Sequence, residues 1–145
     1  MKAVLQRVSK GSVSVSGDHI AEISRGLVIL LGVGPDDTRE IAQTLAKKIS
    51  QLRIFVDDMG KMNLSLLDIG GGALVVPQFT LFADTSRGHR PSFVKAAPPE
   101  MAKPLAAYFA SSLEELGVPT EQGEFGAHML VEIHNDGPVT IVIEN

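Results

Sequence analysis

The chain has 145 residues, no cysteine and a formal net charge of -4, with 44% apolar and 21% charged residues. That length and apolar content suit a single domain, 1–145, with a sizeable core. The missing cysteines exclude a disulfide framework, thiolate zinc sites and a thiol nucleophile, and the acidic balance argues against extensive wrapping of a nucleic-acid backbone.

Residues 1–7 lack the apolar core of a signal peptide. The longest apolar run, 27–31, is far too short to cross a bilayer. A cytoplasmic protein without membrane contact is expected. Residues 2–8 alternate imperfectly and read as a strand, Gly11 reads as a turn, and 12–16 read as a half-buried strand with Val13 and Val15 on one face. Gly17-Asp18 is a hairpin signal, and 19–23 return. Residues 27–33 have no polar side and predict a central strand buried on both faces.

Gly34-Pro35-Asp36 ends that strand, and Asp37 reads as an N-cap with Glu40 three residues on, as in a capping box. Ile41, Leu45, Ile49 and Leu52 then recur at helical spacing. Residues 54–56 read as a short strand, 57–61 as a turn, and 63–68 as irregular chain or a turn of helix.

After Gly70-Gly71-Gly72, residues 73–76 form a buried strand, read as continuing through Pro77-Gln78-Phe79-Thr80-Leu81-Phe82. Alternation then places Gln78 and Thr80 on one face and Phe79 and Leu81 on the other. A polar pair ending an apolar strand must find hydrogen-bond partners, water or a ligand. Pro77 donates nothing to a ladder, so the strand is broken, bulged or at an edge there. Two readings stay open, a ligand-facing strand end or a solvated edge strand.

Residues 83–97 lack a sustained period and form a long loop that carries Arg87, His89, Arg90 and Lys95. Its length favours a functional or interface role over a merely solvated loop. Pro98-Pro99-Glu100 opens a second helix with Leu105, Tyr108, Phe109, Leu113 and Leu116 as its apolar stripe. Pro104 marks either its start or a kink. Gly117 is a natural C-terminal cap. Residues 129–134 alternate, 135–138 read as a turn, and 139–143 close the chain as a strand. Two helices among about seven or eight strands give an α/β class of α+β character: a β-rich, largely antiparallel, barrel-like body with two helices packed on it.

Little in these residues announces chemistry. The four histidines show no metal-ligand spacing, and no metal or cofactor is expected. There is no nucleophile elbow or P-loop, and Gly32-Val33-Gly34 before Pro35 reads as a turn rather than a dinucleotide fingerprint. Thr80 is a nucleophile only beside a base, and the sequence nominates none.

Several short motifs in order resemble a known family. They are Leu5-Gln6-Arg7-Val8, Leu30-Leu31-Gly32-Val33, Arg53-Ile54-Phe55, Gly60-Lys61-Met62-Asn63-Leu64, Gln78-Phe79-Thr80-Leu81, Ala83-Asp84-Thr85, Arg87-Gly88-His89-Arg90-Pro91-Ser92-Phe93 and Asn135-Asp136-Gly137-Pro138-Val139-Thr140. End to end, the chain looks like a D-aminoacyl-tRNA deacylase. The resemblance implies a homodimer with its active site at the subunit interface. It implies hydrolysis of the ester joining a D-amino acid, or glycine, to the terminal adenosine of tRNA, in chiral proofreading of translation. It implies contact with the 3′ end of tRNA and none with DNA.

Site residues follow from the same resemblance. Thr80 matches a residue proposed as nucleophile. The family's better-supported picture is substrate-assisted: the ribose 2′-hydroxyl activates water, and backbone groups near Phe79 and Thr80 hold it. Gln78 helps shape the adenosine pocket, and Phe125 and Met129 match pocket positions. Gly137-Pro138 matches a cis peptide inserted into the partner's pocket, where it excludes an L side chain, and Arg7 matches the residue that holds it. The family's central motif usually begins with serine where this chain has Pro77, which removes a hydroxyl and an N–H from the pocket wall. Three alternatives stay open: a non-catalytic RNA-end-binding module, a deacylase whose specificity Pro77 alters, and a general small-ester hydrolase.

Overall fold

The structure is a computed structural model, and it describes residues 1–144. Strand β1 (Lys2–Val15) is the strand from which the sheet grows. One edge pairs antiparallel with β8 (Met129–Glu144), from Lys2 opposite Glu144 to Val15 opposite Met129. The other edge is shared. Its first half pairs antiparallel with β3 (Gly26–Gly32) and its second half with β2 (Asp18–Ile23). The expected turn at Gly11 is therefore absent, because β1 runs straight through it. Glycine serves close approach there: an added Cβ would lie 2.6 Å from Val28 Cγ2. The β1–β2 hairpin is as read, with Ser16 at φ 52° and Gly17 at φ 89°, the left-handed pair that matches strand twist in a tight turn.

Beyond β3 the sheet becomes parallel. β6 (Gly72–Pro77) runs parallel to β3, and β7 (Thr120–Gln122) runs parallel to β6. Each parallel step needs a crossover, and each crossover carries a helix: α1 (Arg39–Gln51) and α2 (Pro99–Glu115). The sheet is thus mixed, antiparallel around β1 and parallel around β6, with most of its pairings antiparallel, as expected.

Alternation along the strands fills two cores. Leu5, Leu27, Ile29, Leu31 and Val75 pack against Leu45 and Ile49 of α1 and Leu105, Phe109 and Leu113 of α2. Val8, Val13, Ile23, Val28, Leu74 and Val76 fill the opposite face with Met129, Val131 and Ile133 of β8. Curling around this second cluster gives the sheet its nearly closed, barrel-like form.

The cap of α1 is Thr38, whose hydroxyl accepts from the Ile41 amide at 3.3 Å, and not Asp37. The Asp37 carboxylate is buried instead, accepting from the Gly34 amide at 2.6 Å and from the Met1 ammonium. α2 runs unbroken past Pro104 and ends as read at Gly117. There the Val118 amide donates to the Leu113 carbonyl at 3.0 Å and the Gly117 amide to the Glu114 carbonyl at 2.9 Å, the Schellman pattern. Residues 63–68 are partly a strand: β5 (Met62–Leu64) pairs with β4 (Phe55–Val56), and Asp57 ties their turn by accepting from the Lys61 amide. No helix among the described residues is long and apolar enough to cross a membrane.

The Gly11 contact yields a stability prediction. Gly11→Ala forces a methyl into filled space and should destabilise by about 1–3 kcal/mol in urea unfolding. Combining it with Val28→Ala should cost less than the two single changes together, since each relieves the other. Additive costs would show that the close approach is not what requires glycine.

Candidate active site

The central stretch does not continue as a strand. β6 ends at Pro77, and Phe79–Phe82 wind into a single 3-10 turn. The Gln78 amide donates to the Leu31 carbonyl at 2.8 Å, extending the parallel ladder by one bond. The Leu81 amide then closes on the Gln78 carbonyl at 3.3 Å and the Ala83 amide on the Thr80 carbonyl at 3.0 Å. The two-face alternation of Gln78 and Thr80 against Phe79 and Leu81 is thus replaced by a turn. Pro77 stands where the strand stops, one of the placements open to a residue without an N–H. The Gln78 carboxamide donates to the Thr80 hydroxyl, so these side chains partner each other across the turn.

This turn forms one wall of a cavity of about 480 Å³, within the usual range for small-molecule sites. Pro77, Gln78, Phe79, Phe125 and Met129 all line it, which brings five of the expected site residues together. The floor is apolar: Leu31 and Val76 from the strands, Ala102 and Ala106 from α2, Val131 from β8. Small alanines on the facing turns of α2 leave the room that larger side chains would fill. Thr80 is exposed beside this wall but does not line the cavity. His128, exposed at the rim, does line it, and sequence reasoning had passed it over. Its nearness to Phe125 and Met129 in the chain was the available signal. No carboxylate side chain is among the lining residues.

Arg7, Gly137 and Pro138 lie elsewhere. Residues 135–138 are not a hairpin turn, because the strands on either side of them are one strand, β8, paired with β1 throughout. Gln6 faces Thr140 and Val8 faces Asn135, so residues 136–139 bulge out opposite Arg7. The Gly137–Pro138 peptide is cis, and Gly137 has φ 131°, a conformation that L side chains rarely adopt.

Side chains hold this bulge from beneath. Arg7 is buried at 7% exposure. It donates through Nη1 to the Ile54 carbonyl at 2.7 Å and through Nε to the Asp136 carbonyl at 3.1 Å, with the Asp136 carboxylate at 3.3 Å. Asn135 Nδ2 spans the bulge, donating to the Arg7 and Val139 carbonyls, each at 3.0 Å. Gly137 and Pro138 are left exposed above.

The 83–97 loop begins beside the same cavity. Asp84 and Ser92 form an antiparallel bridge, with mutual amide–carbonyl bonds of 2.8 and 3.0 Å. Hydrogen bonds from Ser86, then from Lys95 at 2.9 Å, hold the Asp84 carboxyl far below its ordinary acidity range. The Phe93 ring meets the Phe79 ring edge-on, centroids 5.1 Å apart.

Comparison with known proteins gives this geometry a family. The family described as D-Tyr-tRNA(Tyr) deacylase matches residues 4–144. The D-aminoacyl-tRNA deacylase of Roseiflexus castenholzii is 59% identical over 145 residues, covering 100% of this chain and 92% of that protein. The D-aminoacyl-tRNA deacylase of Deinococcus radiodurans is 54% identical over 144 residues, with 99% of each chain covered. A solved structure described as c-Myc DNA Unwinding Element Binding Protein superposes with TM-score 0.94 at 41% identity, covering 100% of this chain and 99% of that one. Another, described as a probable eukaryotic D-amino acid tRNA deacylase, shares the fold with TM-score 0.83 at 17% identity, covering 98% and 97%. On full-length identity of this order, the chain belongs to the D-aminoacyl-tRNA deacylase family, hydrolases that act on carboxylic ester bonds.

Proposed function

We propose that the chain releases D-amino acids, and glycine, from the 3′-terminal adenosine of tRNA, with the adenosine seated in the cavity at the end of β6. The apolar floor, the Gln78 carboxamide and the Phe125 side chain suit a flat, partly polar base. The observation that carries the mechanism is that the 77–79 wall contributes no ionisable side chain to the cavity, whose one imidazole, His128, is exposed at the rim. The Thr80 hydroxyl accepts from the Gln78 carboxamide, and the activation of water is assigned to the ribose 2′-hydroxyl of the substrate. The wall near Phe79 and Thr80 positions that water. Pro77 changes the shape of this wall without removing Gln78, Phe79 or Thr80, so it is read as tuning the site. The reaction belongs to translation in the cytoplasm.

The same reading requires two chains. Along β3, Arg7 faces Leu27 while Pro77 faces Leu31, four positions further on. At about 3.3 Å per residue and two strand spacings of about 4.8 Å, Arg7 and Pro77 stand roughly 16 Å apart. The 136–139 bulge above Arg7 therefore does not reach the cavity of its own chain. A second copy brings bulge and cavity together in a self-complementary C2 pair. β8 supports this. Its far edge has no strand partner among the described residues, and Leu130 and Val142 stand 67% and 64% exposed on it. Long, apolar, unpaired edges are normally covered. In the dimer, carbonyls of Gly137 and Pro138 occupy the space an L side chain would need. Selection is by exclusion, so D-aminoacyl esters and glycine pass.

Three outcomes are expected. With D-Tyr-tRNA, Gly-tRNA and L-Tyr-tRNA as substrates, the first two are deacylated and the third is not. Binding without release would favour the RNA-end-binding module, and turnover of a nitrophenyl ester without tRNA the general hydrolase. Replacing the terminal adenosine by 2′-deoxyadenosine should lower the rate by about 10²–10⁴-fold, the usual worth of a positioned proton acceptor. Thr80→Ala should cost less than about tenfold, whereas losing a true nucleophile costs on the order of 10⁶. A trapped aminoacyl-Thr80 ester would refute this assignment.

Gly137→Ala probes the filter. A Cβ there meets Val139 Cγ2 at 2.8 Å and Arg7 Nη2 at 3.1 Å. D-activity should fall, or L-Tyr-tRNA hydrolysis appear, by more than the loss of stability read from the urea midpoint accounts for, that loss being expected from the positive φ and the Val139 contact. Wild-type activity with intact L-rejection would leave 136–139 as a structural bulge only.

A further inference from the structure

The 84–92 hairpin is the one markedly basic element beside the cavity. Between 83 and 97 three Lys or Arg side chains meet a single Asp, in a chain whose net charge is -4. That Asp, Asp84, is already taken by Lys95. Arg87 and Arg90, both exposed near the tip, have no ion pair or hydrogen bond among the described residues. The bridge between Asp84 and Ser92 gives the hairpin a fixed base. The Ala97 amide, donating to the Val33 carbonyl at 2.9 Å, ties its end to two residues that line the cavity.

At that base two aromatic rings are exposed. Phe79 is 58% exposed and Phe93 37%, and they meet edge-on, so each ring keeps a face open. Exposed aromatic faces beside unpaired guanidinium groups suit one class of partner, a single-stranded nucleic acid whose bases stack while its phosphates are gripped. Duplex wrapping does not fit, because the rest of the surface is acidic.

We propose that Arg87, Arg90 and Phe93 form a platform for the nucleotides that precede the terminal adenosine of the RNA. Arg87 and Arg90 hold their phosphates, and Phe93, braced by Phe79, stacks a base. The proposal rests on the reading of the cavity as the adenosine site and adds the grip on the strand leading into it. It accounts for an acidic protein binding RNA through one end only.

The test compares two substrates in one assay, D-Tyr-tRNA and D-tyrosyl-adenosine, which carries no phosphate. For single strands each phosphate contact contributes about 0.7 to the slope of log(kcat/KM) against log salt. Arg87→Ala/Arg90→Ala should flatten the tRNA slope by about 1.4 and raise KM for tRNA with kcat nearly unchanged, while activity on D-tyrosyl-adenosine stays at the wild-type level. Arg87→Lys/Arg90→Lys should restore most of the slope, since a point charge still binds phosphate. Phe93→Ala should raise KM for tRNA and leave the slope intact. Sedimentation should match wild type throughout. An unchanged salt slope in the double variant, equal losses on both substrates, or a change of oligomeric state accompanying the loss would overturn the platform. Failure of the wild-type chain to deacylate D-Tyr-tRNA would instead overturn the function on which it rests.

Discussion

The Arg7 guanidinium is buried between the Ile54 carbonyl on one side and the Asp136 carbonyl and carboxylate on the other. Buried charge is tolerated only when paired and hydrogen-bonded, and here the partners come from two distant parts of the chain. Ile54 belongs to the exit from α1, and Asp136 to the bulge in β8. Truncating Arg7 would leave the Ile54 carbonyl without its donor, a cost of about 1–3 kcal/mol for a buried polar group. More important is where the loss falls. The bulge exists because β8 has more residues than β1 between Thr140 and Asn135, and the side chains of Arg7 and Asn135 hydrogen-bond to that excess. β1 therefore sets both the sheet order and the conformation of the exposed Gly137 and Pro138.

Two incomplete features complement each other. The cavity at the end of β6 offers shape, apolar surface and a few polar groups, and Gly137 and Pro138 are not among its lining residues. The bulge projects above Arg7, and strand geometry puts Arg7 roughly 16 Å from Pro77 in the cavity wall. The far edge of β8, which carries the bulge and the exposed Leu130 and Val142, has no strand partner among the described residues. Association of two copies, as proposed above, would resolve all three features at once, without asking any side chain to recognise the D configuration.

Much of this was legible in the sequence, and the reasons differ from element to element. The all-apolar run of β3, the helical spacing of Leu45 and Ile49, and Gly117 as a cap were read correctly because local pattern and tertiary role agree there. Gly11 was misread as a turn because a glycine required by close approach to Val28 looks the same in sequence as one required by a turn. The cap of α1 moved from Asp37 to Thr38 because a long-range ion pair with Met1 claims the carboxylate. Residues 79–82 were read as strand because their apolar content hides the 3-10 turn that Pro77 precedes. Residues 135–138 carry strong turn chemistry, and only the register against β1 shows that they bulge from one continuous strand. Of the candidate site, Pro77, Gln78, Phe79, Phe125 and Met129 do meet, while the separation of Arg7, Gly137 and Pro138 from them depends on strand order, which no local pattern encodes.

The central claim is that one chain's bulge completes the other chain's cavity, and mixed dimers test it most directly. One chain would carry Gly137→Val, to spoil the bulge, and the other Ala127→Trp, to fill the cavity that Ala127 lines beside Phe125 and Met129. Each homodimer lacks one half of every site. In a statistical mixture half the dimers are mixed, and each mixed dimer holds one intact composite site, so hydrolysis of D-Tyr-tRNA should recover to about a quarter of the wild-type level. If bulge and cavity act within one chain, no dimer in the mixture has an intact site, and activity that stays at the level of the separate variants would contradict the account.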